Sequence, residues 1–386
     1  MNDNKYPYQT LQLIEPSFDS PLTDLIIELD HLRRKRLKGS TDPRLFFQLK
    51  KIFHLLESLE SARIEGNRTT LADLIDQKIG EKIREDEELD EIANVEKAIS
   101  FIDDIVHGSP INKAFICELH KIVVSGLSPK KEGDGSPGVY RKQGVKIAKA
   151  THMPPDFLKV EDYMEELIKF INVAVSSKYD LLKTALAHHR FAWIHPFSNG
   201  NGRTVRLLTY AMLVKQGFNV NVGRILNPTA IFCNDRQKYY DMLARADSGD
   251  RDGLLLWCEY VLSGLKTEIE KIDRLLNYKY LSSKVLLPAI LFSLERKIIT
   301  QTEEKVLRIA VEKQIFQAAD LKSVFPSRIA SDLSRILRGL KEKRMIIPIE
   351  EGTRKYHIHF FNSYLLRGVI EMLTKNGFVP LKENMS

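Results

Sequence analysis

The chain has 386 residues, 43% hydrophobic and 28% charged, which is the make-up of a soluble globular protein with room for two or three domains and excludes a disordered or fibrous chain. A formal charge of +7 favours anionic partners such as nucleotides or nucleic acid, although a lysine-rich solvated surface would give the same balance. Cys117, Cys233 and Cys258 stand apart with no CxxC pair, so neither a disulfide framework nor a cysteine zinc site is indicated; with no basic-then-apolar leader and no apolar run of membrane-spanning length, a cytoplasmic protein without a membrane partner is expected.

From Pro21 to about Gly80, apolar residues recur at spacings of three and four in LTDLIIELDHLRRKRL and RLFFQLKKIFHLLESLE, which predicts a helical front section. Two more amphipathic runs, ISFIDDIVHG and INKAFICELHKIVVSGL, fill 98–127. They lead into SPKKEGDGSPGVYRKQGVKIAKATHMPP, whose Gly, Pro, Lys and short alternation predict an exposed hairpin or flap with VYRKQGVKI as strand. Helical spacing returns in VEDYMEELIKFINVAV and DLLKTALAHHRFAWI. HPFSNGNGRTVR, residues 195–206, therefore falls between the end of one helix and the start of the next, RTVRLLTYAMLVKQG.

Helices follow in RQKYYDMLARA and GLLLWCEYVLSGLKTEIEKIDRLLN. Beyond YLSSK a separate unit is expected: TEEKVLRIAVEK, QAADLKSVF and RIASDLSRILRGLKEKRM as three short helices, then MIIPIEEGTRKYHIHF as two strands about an EEG turn. Three helices closed by a hairpin is the pattern of a winged helix. Arg328, Arg335, Arg338 and Lys341 lie along its last helix, suited to phosphates, although such modules also dock proteins.

The chemistry concentrates at 195–206. A glycine pair just before a helix lets backbone N–H groups approach an anion, so Gly200, Asn201 and Gly202 read as an anion nest. Arg203 and Arg206, three apart near the positive end of that helix, call for a phosphate or an internal carboxylate. His195 has the unperturbed pKa of a general base near neutrality. Neither GxxxxGK(S/T) nor GxGxxG is present, which disfavours P-loop and Rossmann sites.

HPFSNGNGRTVR resembles the Fic family signature, HPFx(D/E)GNGRxxR, and the likeness extends through AHHRFAWI, SPGVYRKQGVKI and NDRQKYYDML, over roughly residues 100 to 270. The resemblance implies an all-α fold: a helical core with a small β-hairpin flap, a helical N-terminal section and a C-terminal winged-helix domain, at 98–280, 1–97 and 281–386 respectively. It also implies transfer of AMP from ATP, with Mg²⁺, to a Tyr, Thr or Ser hydroxyl of a target protein. His195 would take the proton, Gly200, Asn201 and Gly202 would cradle phosphate, and Arg203 and Arg206 would hold the β- and γ-phosphates. Phe197 would anchor the loop, Asn234 and Tyr240 would meet the base or ribose, and Tyr140, Val145 and Ile147 would pair with an extended target segment.

The departure is Asn199, which stands where the family usually has an acid that binds Mg²⁺; its neutral carbonyl is a poorer ligand for a hard dication. Upstream, SARIEGN resembles the family's inhibitory motif (S/T)xxxE(G/N) through Ser61, Glu65 and Gly66. Glu65 would then pair with Arg206 and occupy the γ-phosphate position, within one chain or across a homodimer. His188 reads as structural support near the site, and a metal site among His188, His189 and His195 is disfavoured for want of a carboxylate. Two alternatives stay open: a nucleotide-sensing DNA-binding regulator with a degenerate core, and a Fic enzyme of other chemistry, AMP removal or another phosphate-linked transfer.

Overall fold

The computed structural model describes residues 8–34, 40–80, 86–147, 152–218, 228–233 and 235–379. Its helices, in chain order, are α1 (Pro21–Arg34), α2 (Pro43–Glu65), α3 (Leu71–Ile79), α4 (Glu87–Ile105), α5 (Lys113–Val124), α6 (Val160–Asn172), α7 (Asp180–Ile194) and α8 (Asn201–Lys215). They continue with α9 (Pro228–Cys233), α10 (Arg236–Ala246), α11 (Arg251–Leu276), α12 (Tyr278–Tyr280), α13 (Leu287–Glu295), α14 (Gln301–Lys313), α15 (Ala330–Glu342) and α16 (Leu366–Lys375). Strands are β1 (Phe316–Gln317), β2 (Ile346–Pro348) and β3 (Lys355–Ile358). No described helix is long and apolar enough to cross a membrane.

Two compact units result. The first takes residues 1–36, 57–68 and 85–270; the second takes 37–56, 69–84 and 271–386. They do not follow the expected cuts at 97 and 280. Part of the reason is Gln48, whose Nε2 donates to Ile358 O at 3.0 Å while its Oε1 accepts from Phe360 N at 2.8 Å. One buried side chain thus caps the end of β3 from far upstream.

In the first unit α7 packs on α8, with α6 against α7 and α4 and α5 against α8. Local chemistry starts the helices: Asn112 accepts from Phe115 N to open α5, and Asp235 accepts from Lys238 N to open α10. Nearly all of α7 and α8 is buried, so the loop between them is fixed at both ends. The described residues of this unit contain no strand. The expected strand at 139–147 is irregular because its first residues turn inward: Tyr140 is buried, and Arg141 donates to the carbonyls of Gln143, Pro155, Ile194 and His195.

The second unit has an antiparallel sheet of order β1-β3-β2, with Phe316 opposite Tyr356 and Ile346 opposite Ile358. The hairpin of β2 and β3 was expected; β1, two residues long, is too short to leave a periodic signal. QAADLKSVF forms a 3-10 helix at Ala318–Ser323 in place of a full α-helix. α14 opens with a capping box in which Thr300 and Glu303 bond each other's backbone N–H.

Candidate active site

α7 stops at His195, whose φ of 51° is left-handed, a conformation that costs a non-glycine residue about 1–2 kcal/mol. The surrounding bonds fix it there: His195 N donates to Phe191 O at 3.0 Å and His195 O accepts from Arg141 Nε at 2.8 Å. Arg141 N also donates to Pro196 O at 2.8 Å. A buried cation therefore sits over the carbonyls that end α7, where the helix dipole favours it.

The rest of the loop is stapled from within. Asn201 accepts from Phe197 N and donates to Phe197 O, both at 2.9 Å. Phe197 is fully buried, its ring stacked on His120 at 3.7 Å and 1°. Gly200 has φ 70°, and a Cβ there would lie 2.9 Å from Val124 Cγ1. α8 thus begins with no side chain capping its N-terminus, and its first N–H groups are left for another acceptor.

The Glu65 carboxylate of the same chain lies beside that helix end. Its Oε1 accepts from Arg206 Nη2 at 2.7 Å and lies 2.0 Å from where a Cβ on Gly202 would be, so a side chain at 202 would push the carboxylate aside. Arg206 also donates from Nε to Ser61 Oγ at 2.9 Å and from Nη2 to Ser61 O at 2.8 Å, while its buried Nη1 has no hydrogen-bond partner among the described residues. Gly66, with φ 121°, turns the chain directly after Glu65. Burial pushes the Glu65 carboxyl up, but the charge and hydrogen bond of Arg206, with Arg203 and Arg236 adding, hold it below its usual range.

Arg203 is held differently. Its Nη1 lies 2.8 Å from Glu91 Oε1, and its Nη2 donates to Glu132 O at 2.7 Å and Glu132 Oε2 at 3.0 Å. Glu91 Oε2 accepts from Asn67 at 2.8 Å. Burial raises Glu91 to about 7 despite Arg203 and Asn67, and burial raises Glu132 as well. His195 is pulled down to about 4 by burial, against the opposing effects of a backbone hydrogen bond with Ala192 and the charge of Glu65. It is therefore neutral at pH 7, the state a base requires.

Asn199 does not fit as a metal ligand here. Its Oδ1 accepts from Gly200 N at 2.7 Å and its Nδ2 donates to Lys131 O at 2.7 Å. The nearest acid, Asp134, accepts from Asn199 N at 3.1 Å and from Ser136 N at 2.8 Å. No group of three or more potential ligands gathers among the described residues. The histidines diverge: His188 lies between Thr209 Oγ1 at 2.7 Å and Tyr239 Oη at 3.0 Å, and His189 pairs with Asp247 at 3.1 Å. Because Thr209 donates to Val205 O, His188 Nδ1–H donates to Thr209 and Nε2 accepts from Tyr239.

Tyr240 is half-buried, its ring 5.4 Å from that of Tyr239 and 5.5 Å from the Arg236 guanidinium. Asn234 lies outside the described residues. Tyr140 packs on Phe197 at 5.5 Å, while Val145 and Ile147 are half-buried. Sequence reasoning missed His120, Arg141, Glu91, Glu132 and Asp134. Gly138 N donates to His120 Nδ1 at 2.8 Å, so its Nε2–H donates to Asn199 O at 3.1 Å. No spacing marks these residues, since each meets the loop from a distant segment.

A model of the Fic/DOC family matches residues 110–213. The chain is similar to the protein adenylyltransferase Fic of Nematostella vectensis, 27% identical over 234 residues, which is 58% of this chain and 51% of that protein. It is also similar to the protein adenylyltransferase Fic of Drosophila melanogaster, 28% identical over 266 residues, 64% of this chain and 51% of that one. The chain spans about half the length of these curated relatives. A solved Fic family protein from Desulfovibrio desulfuricans aligns with TM-score 0.56 and 21% identity, covering 91% of this chain and 98% of that one. A Fic domain containing signaling protein from Bacteroides thetaiotaomicron aligns with TM-score 0.51 and 18% identity, covering 67% and 97%. The mostly helical fold is shared with both.

Proposed function

Because this chain carries a Fic/DOC family domain at residues 110–213, we propose that it transfers the AMP moiety of ATP to a Tyr, Thr or Ser hydroxyl of a target protein, restrained by Glu65. The observation that carries the reading is the Glu65 carboxylate on Arg206 at 2.7 Å, pressed against Gly202 at the open N-terminus of α8. A carboxylate there stands in for a phosphate oxygen: it takes the same guanidinium and lies beside the same positive helix end. The relatives named protein adenylyltransferase Fic support the same chemistry.

In the reaction the acceptor oxygen attacks the α-phosphorus, the bond to the β-phosphate oxygen breaks, pyrophosphate leaves, and the acceptor proton passes to the neutral His195 imidazole. Arg206 is the phosphate anchor once Glu65 withdraws, its Nη1, without a partner among the described residues, completing the grip. The backbone of Gly200, Asn201 and Gly202 positions the α-phosphate, and Arg203 steadies the first turn of α8. Tyr240 borders the nucleotide base, and the flap containing Val145 and Ile147 receives the target. Mg²⁺ in this proposal arrives on the triphosphate, since Asn199 is committed to its own loop.

The test is incubation of wild type, Glu65→Gly and Glu65→Gly/His195→Ala with Mg²⁺ and ATP labelled at the α-phosphate. Covalent label is expected on protein with Glu65→Gly, with a drop of about 10²–10⁴-fold when His195 is removed. ATP binding with no label in any lane would overturn the transfer reading and leave a nucleotide sensor.

A further inference from the structure

We propose that α15 is a binding face for duplex DNA. Within the second unit, α14, β1, the 3-10 turn, α15 and the β2–β3 hairpin follow one another, and Leu333, Leu337 and Leu340 bury one side of α15. The opposite side is open. Ser331, Arg335 and Arg338 run down its middle, with Ala330, Ser334 and Lys341 to one side, all exposed; the line ends in an exposed acid, Glu342, at the last turn, so the basic face is the first three turns.

Charge and size both match a nucleic-acid groove. Among the described residues no carboxylate pairs with Arg338 or Lys341, and Arg335 is 79% exposed with only an exposed contact to Asp332 at 3.2 Å, a pair worth little in water. Arg328 precedes the helix and Arg344 follows it, both exposed. Alanine and serine in the first two turns let the helix backbone approach closely, and a major groove about 12 Å wide admits a helix. Ile329, 64% exposed at the start of α15, is an unexplained apolar group on a soluble surface and suits a thymine methyl.

The hairpin does not share the role. Its turn sets exposed Glu350 and Glu351 against exposed Arg354 and Lys355, so it offers phosphates no net positive charge and the contact belongs to the helix. The basic side chains grip phosphates, and the small polar residues face the base edges.

The experiment uses the full chain and a fluorescein-labelled mixed-sequence duplex, with anisotropy followed from about 50 to about 200 mM salt. Wild type is expected to bind saturably with affinity falling as salt rises. Arg335→Ser/Arg338→Ser should weaken binding at least about tenfold and lower the salt slope by about 2, whereas Arg335→Lys/Arg338→Lys should keep most of it. Glu350→Gln/Glu351→Gln should not weaken binding. An unchanged thermal midpoint, and undiminished AMP transfer when the serine substitutions are placed in the Glu65→Gly background, show that the exposed substitutions left both units intact, separating this result from the transferase reading. No binding at the lowest salt, or binding indifferent to the serine substitutions, overturns the proposal. So does binding of a poly-glutamate peptide in place of the duplex, which would make α15 a protein-docking face.

Discussion

Arg203 and Arg206 stand one helical turn apart on α8, both essentially buried, yet their surroundings differ in origin. Among the described residues, the hydrogen-bond partners of Arg206 come from Ser61 and Glu65, the last turn of a single helix, and Glu65 keeps 26% exposure. Arg203 is held from two separate segments, by Glu91 of α4 at 2% exposure and by the loop residue Glu132. The first arrangement can be undone by withdrawing one helix end. The second requires two independent displacements, one from the interior. Charge alone does not distinguish these two arginines; the number and burial of the segments that hold each one do.

Arg203→Ala gives the largest expected effect. Above about pH 7, where Glu91 is ionised, it strands Glu91 and Glu132 without their cation, and breaking such a buried pair costs about 3–5 kcal/mol. Urea unfolding should show a strongly lowered midpoint. Arg206→Ala should cost less stability, because Glu65 can turn to water, but should abolish measurable ATP affinity. Equal destabilisation by the two substitutions would break the comparison.

Next comes Glu65→Gly. Releasing Arg206 from one charge-assisted hydrogen bond, worth about 1.5–3 kcal/mol, should tighten ATP binding roughly 10- to 100-fold by calorimetry. Ser61→Ala removes only one acceptor and leaves Ser61 O and Glu65 in place, so its gain should be no more than a few-fold. A Glu65→Gly protein with unchanged ATP affinity would show that Glu65 does not occupy the phosphate position.

The contrast also separates what the sequence disclosed from what it hid. The loop at 195–206 was legible because glycine dihedrals and helix ends are local matters, and Glu65 was legible because its motif is a short one that resembles a family pattern. Glu91 and Glu132 were not. In sequence, Glu132 sits in a charged loop, KKEGDG, that reads as solvated, and Glu91 is one acid among six in EDEELDE. Only the fold turns these two inward. Asn201 shows a subtler gap: its place in the loop was evident, but its side chain staples Phe197, so only its backbone remains for an anion. The missing strand at 139–147 has the same cause, since alternation cannot reveal that Arg141 is committed to the carbonyls at the end of α7.

The smallest effect lies in pH. Glu91 is raised to about 7 in the fold, above the usual carboxylate value, with burial outweighing Arg203. The folded protein therefore holds a proton that the unfolded chain has released, and the stability this gives is present below about pH 4.5 and lost as pH rises through about 7. His195 and His120, both lowered to about 4, act in the opposite sense, losing stability as pH falls from about 6.5 through about 4. Glu91→Gln isolates the first contribution because the histidines are common to both proteins. The stability difference, wild type minus Glu91→Gln, should fall by on the order of 1 kcal/mol between about pH 5 and pH 7, read from paired urea titrations. A difference that instead grows over this window would mean that Arg203 keeps Glu91 ionised in the fold, and that the pair is a conventional salt bridge.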